Sequence, residues 1–216
     1  MNILTRAGFF IVIALIFAGC SGRRSVKDAT MAETDTVQVP DTGYTGIKKY
    51  FTNDRLFREI TFKNGIRHGE MKTYYQGGQL YQSFWYENGL REDSAKWYYL
   101  EGPVFRSTPF VHDTIHGTQI QYYRNGKVKA RLKYIKGLRT PEIEEFTRDG
   151  KPVDNYPDIS YKLTDNYNTN GRVKVDLELT NQATKVKFYR GEFYNGVFDT
   201  ARIEPIKTTN GKASVE

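Results

Sequence analysis

Several residue types that define common protein classes are scarce in this chain of 216 residues. It contains one cysteine, so it cannot form a disulfide within itself. Only 38% of its residues are hydrophobic, and beyond the N-terminus no apolar run is long enough to span a bilayer as a helix. The composition therefore excludes a disulfide-stabilised scaffold and a bundle of transmembrane helices.

Signatures of common enzymes are absent as well. The chain has no Gly-x-Ser-x-Gly, no His-Glu-x-x-His, no phosphate-binding loop and no Gly-x-Gly-x-x-Gly pattern. We interpret one acidic cluster as the charged rim of a strand rather than as an acid–base pair: Glu142, Glu144 and Glu145. The sequence predicts a protein that is not an enzyme and needs no cofactor.

The N-terminus has the order of residues that is typical of a secretory signal. Arg6 supplies the basic segment, an apolar run covers residues 7–17, and small residues precede Cys20. The run is short for a transmembrane helix, although an uncleaved anchor with an incidental cysteine is the alternative. We predict a signal peptide at residues 1–19.

Residues 17–20, Phe-Ala-Gly-Cys, resemble the lipobox at which lipoprotein signal peptidase cuts, with Phe17 where Leu is usual. The resemblance implies a bacterial lipoprotein whose Cys20 carries palmitate and further acyl chains, enough for stable anchoring in a membrane. In Gram-negative lipoproteins Asp after the cysteine is associated with the inner membrane, so Ser21 favours the outer membrane. Residues 20–44 are polar and predict a flexible tether.

The formal net charge is +7, and cleavage would remove Arg6 and leave +6. A basic surface can attract anionic lipid headgroups, polyanionic glycans or nucleic acid. The basic residues are spread along the chain, which favours the solvated face of a sheet over a dedicated binding patch. Export argues against nucleic acid as a partner.

The middle of the chain repeats with a period of 24 residues. Units that begin at Thr45, Gly69, Asp93 and Gly117 align without a gap, and a partial unit follows from Pro141. Two columns of this alignment are aromatic: Tyr50, Tyr74, Tyr98, Tyr122 and Phe146 in the first, and Phe51, Tyr75, Tyr99 and Tyr123 in the second. A third column marks a turn: Asp54, Gly78, Gly102, Gly126 and Gly150.

Each unit contains two strand patterns and two turn signals. The predicted hairpin turns are Gly77-Gly78, Asn125-Gly126 and Asp149-Gly150, and then Asn64-Gly65 and Asn88-Gly89. Alternate apolar positions within a strand should line one face, as in Leu56, Ile60 and Phe62, in Leu80, Phe84 and Tyr86, and in Val128, Leu132 and Tyr134. The sequence predicts an all-β fold, a meander of antiparallel hairpins over residues 45–153.

The pattern Gly-x-x-x-x-Tyr-Tyr-x-x-Gly-x-Leu/Val, followed by Tyr-x-Asn-Gly, resembles the MORN repeat and in particular its bacterial variant; residues 117–140 match best. The resemblance implies a repeat sheet that acts as a scaffold or binds protein partners or phospholipids. Bacterial proteins of this kind are often labelled antitoxins of toxin–antitoxin systems. The third unit departs most, at Pro103, Pro109 and His112-Asp113, so we expect a bulge or an edge there.

The tyrosine columns are the candidate binding surface: Tyr50, Tyr74, Tyr98 and Tyr122, with Tyr75, Tyr99 and Tyr123. They could stack on a sugar or a headgroup, but packing pairs between strands are the favoured interpretation. His68 and His116 lie two units apart, about 20 Å by strand spacing, and cannot share a metal. His112 and His116 could form a ligand cluster only on a helix or tight turn, so the sequence predicts no metal site.

The period stops after Pro152. Strand patterns follow at residues 159–163, 172–179 and 185–193, with turns at Asn170-Gly171 and Asn181-Gln182. A last pair of strands is expected at residues 203–206 and 213–215, joined across Asn210-Gly211. Residues 154–216 therefore predict a small C-terminal β-sandwich, or a sheet that caps the repeats.

Together these features predict a non-catalytic, membrane-anchored protein of the cell envelope whose repeats act as a binding or scaffold surface. The expected partners are the membrane, through lipid on Cys20, and an envelope protein, lipid or glycan. Two alternatives are glycan binding by the C-terminal β domain and an antitoxin or immunity role.

Overall fold

The computed structural model describes residues 13–16 and 43–216. These residues divide into two compact bodies. The first, the repeat sheet, ends at Asp154, and the second, the C-terminal body, contains residues 155–216 together with the strand Ile13–Ile16. Strands make up most of both bodies and α1, Tyr167–Asn170, is a single short helix in the described chain, so the predicted all-β class is confirmed.

The strands are numbered in chain order. β1 is Ile13–Ile16. The repeat sheet contains β2 Gly46–Thr52, β3 Arg55–Lys63, β4 Ile66–Tyr74, β5 Leu80–Glu87, β6 Leu90–Tyr98, β7 Val104–Val111, β8 Thr114–Ile115, β9 Gly117–Tyr122, β10 Val128–Ile135 and β11 Leu138–Glu145. The C-terminal body contains β12 Ile159–Asn166, β13 Arg172–Leu179, β14 Val186–Tyr194, β15 Val197–Ile206, β16 Thr208–Thr209 and β17 Lys212–Val215.

The repeat sheet is a single antiparallel sheet of ten strands in the order β11-β10-β9-β7-β6-β5-β4-β3-β2, with β8 paired to β7. Neighbours in sequence are neighbours in space along the whole path, so each repeat adds two strands to one edge. This is the predicted meander of hairpins. The third unit contains an interruption, since β8 and β9 are separate strands on the same side of β7. Register shifts at the equivalent place of other units show that this irregularity is not peculiar to the third unit.

The second turn of every repeat is a two-residue loop with positive φ at both positions. Asn64 and Gly65 have φ values of 53° and 78°. The third repeat forms the same turn with His112 and Asp113, at 49° and 64°, although it lacks glycine there. Loops of this type match the twist of the flanking strands, and Asn and Asp tolerate positive φ better than most residues.

The first turn of the later repeats is one residue longer than predicted. The Tyr75 amide donates to the Gln79 carbonyl at 2.8 Å and the Gly78 amide donates to the Tyr75 carbonyl at 2.9 Å, which leaves three residues in the loop. Gly78 has φ of 84°, whereas Gly77 is not in the left-handed region. The predicted pair of left-handed residues is therefore wrong here: a turn followed by one left-handed glycine closes the hairpin. The same two bonds recur at Tyr99, Tyr123 and Thr147.

The first repeat departs from the others by one residue. Its first loop, Asn53-Asp54, has positive φ at both positions and contains two residues instead of three. As a result Tyr50 pairs with Arg58, while the equivalent pair in the second repeat is Thr73 with Gln82. The gapless alignment is wrong at this point, because the strand before the shorter loop is shifted by one residue.

The sheet has two distinct faces. One face, the apolar face, carries a core cluster of Ile60, Phe62, Met71 and Tyr86, with Ile60 and Phe62 exposed by only 1% and 2%. The predicted alternation of β3 is confirmed for these two residues. Further along, Ala95, Phe110, Ala130 and Leu132 are also buried. The opposite side, the polar face, carries mostly charged and hydroxyl side chains.

The C-terminal body contains two small sheets, β1-β14-β15 and β12-β13-β17-β16. Both contribute to one buried core: Leu177 and Leu179 from β13, Val186 and Phe188 from β14, and Ala213 from β17. Two sheets that share a core form the predicted sandwich arrangement.

One detail of the C-terminal prediction is wrong, namely the partner of the strand at residues 203–206. Ile203 and Ile206 lie in β15 and pair with β14, not with the last strand. Asn210-Gly211 instead joins β16 to β17, where Thr209 pairs with Lys212. The predicted turn at Asn170-Gly171 is the end of α1, capped by Gly171 with φ of 73°.

β1 lies within the predicted signal peptide. Its backbone pairs antiparallel with β14, from Ile13 opposite Tyr189 to Ile16 opposite Val186. Removal of residues 1–19 stays a prediction, as does the tether at residues 20–44, most of which lies outside the described residues.

Candidate binding surface

The second tyrosine column holds neighbouring repeats together. Each of its phenol hydroxyls donates a hydrogen bond to a backbone carbonyl one repeat further along. These bonds run from Tyr75 to Tyr98, from Tyr99 to Tyr122 and from Tyr123 to Phe146, each at 2.8 Å. All three rings are half-buried. The column therefore works as a structural ladder, in line with the favoured interpretation of the sequence.

The rings of this column also pack within their own hairpins. Tyr75 meets Tyr81 edge-on with centroids 5.0 Å apart, and Tyr99 meets Phe105 at 5.4 Å. The guanidinium of Arg124 lies 4.9 Å above Tyr99. Such pairs each contribute a few tenths to about 1 kcal/mol.

The first column faces the polar side of the sheet. The Tyr74 hydroxyl donates to the Glu59 carboxylate at 2.6 Å, and the Tyr98 hydroxyl lies 3.3 Å from the Ser83 hydroxyl. Burial and the bond to Glu59 raise the pKa of Tyr74 to about 12, and the same bond is the main cause that lowers the pKa of Glu59. Tyr122 is half-buried at the equivalent place of the next repeat.

Tyr50 does not share this surface. The one-residue shift in the first repeat turns its ring to the apolar face, where it packs against the cluster around Ile60. The Lys48 ammonium lies 5.7 Å from the centre of the ring. The structure therefore brings Tyr74, Tyr98 and Tyr122 to one face and places Tyr50 on the other, which corrects the proposed column.

A polar row crosses the sheet from one edge to the other. Paired residues along this row are Lys49, Glu59, Lys72, Ser83, Lys96, Ser107, Ile120, Arg131 and Glu144. Its ends are closed by ion pairs, Lys49 with Glu59 at 3.3 Å and Arg131 with Glu144 at 2.7 Å. The middle of the row carries the hydroxyls of Ser83 and Ser107, the ammonium of Lys96 and one apolar side chain, Ile120. Exposed ion pairs stabilise little, so their role is to neutralise the two ends of the face.

Trp85 is the residue of this face that sequence reasoning missed. Its ring is 48% exposed on β5, and it stands directly between Glu70 on β4 and Glu92 on β6. A signal was present, because the repeat column that contains Trp85 otherwise holds Thr61, Pro109 and Lys133. A large aromatic ring that no other repeat shares is not needed to build the repeat.

His112 and several acidic residues have structural partners within the repeat sheet. The Glu92 carboxylate accepts the His112 amide at 2.9 Å, and Asp113 accepts from the Arg91 guanidinium at 2.7 Å. Within residues 13–16 and 43–216 no group of three or more His, Cys, Asp or Glu could hold a metal ion. The expected charged rim exists, because Glu142 and Glu144 form ion pairs with Lys133 and Arg131.

Cys20 lies outside the described residues, and its lipidation stays a prediction. None of the helices in the described part of the chain has the length and hydrophobicity that crossing a bilayer requires.

Two segments match the family model described as "MORN repeat variant", residues 67–88 and 115–136. The first covers most of β4 and β5, and the second covers β9 and β10 and ends at Lys136. Their starting points lie two periods apart, so both matches begin at the same position within a repeat unit. No curated protein matches the chain. The chain thus carries MORN repeat variant sequences in two places, and such repeats indicate a binding or scaffold role.

Proposed function

We propose that this protein is a non-catalytic, lipid-anchored scaffold of the cell envelope that binds a partner on the polar face of its repeat sheet. The membrane is the outer membrane of a Gram-negative bacterium, and lipid on Cys20 provides the anchor. One observation supports the binding role. The second tyrosine column holds the repeats together, whereas the polar face, with Tyr74, Tyr98 and Tyr122, is not needed for that purpose.

The hydroxyls of Tyr75, Tyr99 and Tyr123 bond to the next repeat, and the apolar face is buried. These contacts fix the strands relative to one another. The polar face is then an ordered array of side-chain positions that repeats every two strands, about 10 Å apart, while the side chains at these positions differ from repeat to repeat. A partner can bind to such an array without any movement of the sheet. Because the side chains are already ordered, the entropic cost of binding is lower.

The anchor is tested by metabolic labelling with an alkyne analogue of palmitate, followed by separation of membranes. We expect label and membrane association in the native chain and neither in a Cys20→Ser variant. A Ser21→Ala variant is the matched control, because it leaves the cysteine in place and should still be labelled. An unlabelled native chain would contradict the lipoprotein assignment.

The binding surface is tested by photo-crosslinking in the intact cell, with a photoreactive residue at Lys96 on the polar face. The comparison position is Lys212 of the C-terminal body, which is also an exposed lysine. We expect a discrete adduct of one molecular mass from the Lys96 position and none from Lys212. Adducts of equal yield at both positions would contradict a specific surface on the repeats.

A second candidate is glycan binding by the C-terminal body. Tyr161 and Tyr167 are each 66% exposed, on β12 and α1, and exposed aromatic rings of this kind are available for stacking. A Tyr161→Ala/Tyr167→Ala double variant of the whole chain should lose retention on a glycan array if this candidate is right. The antitoxin or immunity role rests on the resemblance alone, and a neighbouring toxin gene would be its first support.

A further inference from the structure

Trp85 has an unusual position among the aromatic residues of the repeat sheet. Its neighbours across the two flanking strands are both carboxylates, Glu70 and Glu92, with Cβ atoms about 5 Å away. The ring is 48% exposed on the polar face, while Tyr86, its neighbour in sequence, is buried on the apolar face. An exposed indole thus lies between two carboxylates.

Other aromatic rings of this sheet already carry a cation from the chain itself. Arg106 lies 3.9 Å from the centre of the Trp97 ring, and Arg91 lies 4.5 Å from that of Phe110. In the part of the chain that the structure describes, no Lys or Arg lies over Trp85. Tryptophan is the most favourable aromatic partner of a cation, so the ring of Trp85 offers an interaction that the chain does not fill.

The two carboxylates differ in their own partners. Glu70 is neutralised by Lys72, with nitrogen and oxygen 2.8 Å apart. Glu92 is held by the backbone amide of His112 at 2.9 Å, and its side chain is only 20% exposed. The Nδ1 atom of the His112 ring lies 3.5 Å from the same carboxylate. The backbone hydrogen bond fixes the Glu92 carboxylate without neutralising it, and a carboxylate partly shielded from water acts strongly on a charge beside it.

We propose that Trp85 and Glu92, with Glu70 at the rim, form a binding site for an organic cation of the alkylammonium or guanidinium class. The cation stacks on the indole face, Glu92 supplies the complementary charge, and Glu70, which is paired with Lys72, borders the site. This inference rests on the proposed function in one respect, namely that the polar face of the repeats is the binding surface.

The chain contains only two tryptophans, so the site carries its own reporter. In a Trp97→Phe variant, fluorescence comes from Trp85 alone. Choline chloride is the first probe, 3,3-dimethylbutanol is its uncharged counterpart of the same shape, and sodium chloride controls for ionic strength. Arginine amide, compared with citrulline amide, tests the guanidinium class, and glucose tests a neutral sugar.

We expect choline or arginine amide to change the Trp85 emission saturably, with at least about tenfold weaker binding of the uncharged counterpart. A Glu92→Gln exchange should weaken cation binding by about fivefold or more, since it removes the charge but keeps the shape. Glu144→Gln is the matched control, because that carboxylate lies on the same face at β11 and should not change the affinity.

Three results would overturn the cation site: equal binding of charged and uncharged probes, an unchanged affinity in the Glu92→Gln variant, or a saturable response to glucose alone. The outcome is separable from the proposed function. A persistent crosslink at Lys96 with no response to either cation removes the cation site and leaves the scaffold. A cation response without any crosslinked partner removes the scaffold role and leaves the site.

Discussion

The hydroxyl of Tyr99 donates a hydrogen bond of 2.8 Å to the backbone carbonyl of Tyr122, one repeat further along the sheet. The donor stands at the end of one hairpin and the acceptor at the end of the next. Tyr99 belongs to the second tyrosine column and Tyr122 to the first. The two tyrosines that are adjacent in each repeat therefore have different structural roles. One member of each pair holds the next repeat, and the other faces the polar surface.

A Tyr99→Phe exchange should therefore destabilise the repeat sheet by about 1 kcal/mol, because it removes one hydrogen bond and leaves a half-buried carbonyl without its donor. Urea unfolding followed by tryptophan fluorescence measures this effect. Both tryptophans, Trp85 and Trp97, lie in the repeat sheet and report on that body. Tyr161→Phe, on the exposed face of β12, is the control and should leave the midpoint unchanged. A Tyr99→Phe variant as stable as the native chain would show that the ladder contributes nothing.

The left-handed glycine of the first turn gives a second prediction. Gly126 has φ of 80° and no atom within 4 Å of the place where a Cβ would stand. A Gly126→Ala exchange should cost about 1 kcal/mol from backbone conformation alone, since there is no steric clash to add. Gly126→Asn should cost less, because asparagine adopts this conformation more readily. Equal losses for alanine and asparagine in urea unfolding would argue against a backbone origin.

The repeat made much of this fold predictable, and its exceptions explain what was missed. Strands, turns and the buried face follow from side-chain alternation and from Gly and Asn positions, which act locally. The shift of Tyr50 was hidden because Asp54 and Gly78 both have positive φ and align perfectly, although their loops differ by one residue. Trp85 was missed for the opposite reason: a search for what repeats passes over a residue that occurs once.

The C-terminal body was harder to predict because its pairing is not local. Residues 203–206 pair with β14, which precedes them, while β17 pairs with β13 more than thirty residues earlier in the chain. Alternation identifies a strand but not its partner. Asn210-Gly211 correctly marked a tight turn, yet the strand before it is only two residues long.

The bond between Tyr74 and Glu59 predicts how the repeat sheet responds to pH. Folding raises the pKa of Tyr74 from 10.0 to about 12, so the stability linked to this phenol is complete below pH 10 and is lost as the pH rises toward 12. Folding lowers the pKa of Glu59 from 4.5. The stability that this carboxylate contributes is therefore present above pH 4.5 and is lost as the pH falls through the lower pKa of the folded state. A Tyr74→Phe exchange should flatten both limbs of a plot of urea midpoint against pH.

Absorbance of tyrosinate provides a direct measurement of the same group. The Tyr74→Phe variant should lose one phenol that ionises later than ordinary tyrosines. Tyr161→Phe is again the control, because it removes an exposed phenol and should leave in place the phenols whose pKa is raised, Tyr74 and Tyr75. An unchanged late phase in the Tyr74→Phe variant would contradict the assignment.

Cleavage of the predicted signal peptide has a consequence for the C-terminal body. β14 lies between β1 and β15, so a chain that begins at Cys20 lacks β1 and presents β14 as an edge strand. Amides at an open edge exchange with solvent faster than amides inside a ladder. Successive amides of a strand point to opposite sides, and the Phe188 amide points away from β1, to the Thr208 hydroxyl. The amides of Lys187 and Tyr189, which face β1, should therefore exchange about tenfold or more faster in a Cys20→Ser chain that begins at residue 20 than in the full precursor. Residues 177–179 of β13, which keep their neighbours in both chains, provide the control. Identical exchange at Lys187 and Tyr189 would show that β1 forms no ladder in solution, and faster exchange in both strands would show that the whole body loosens without residues 1–19.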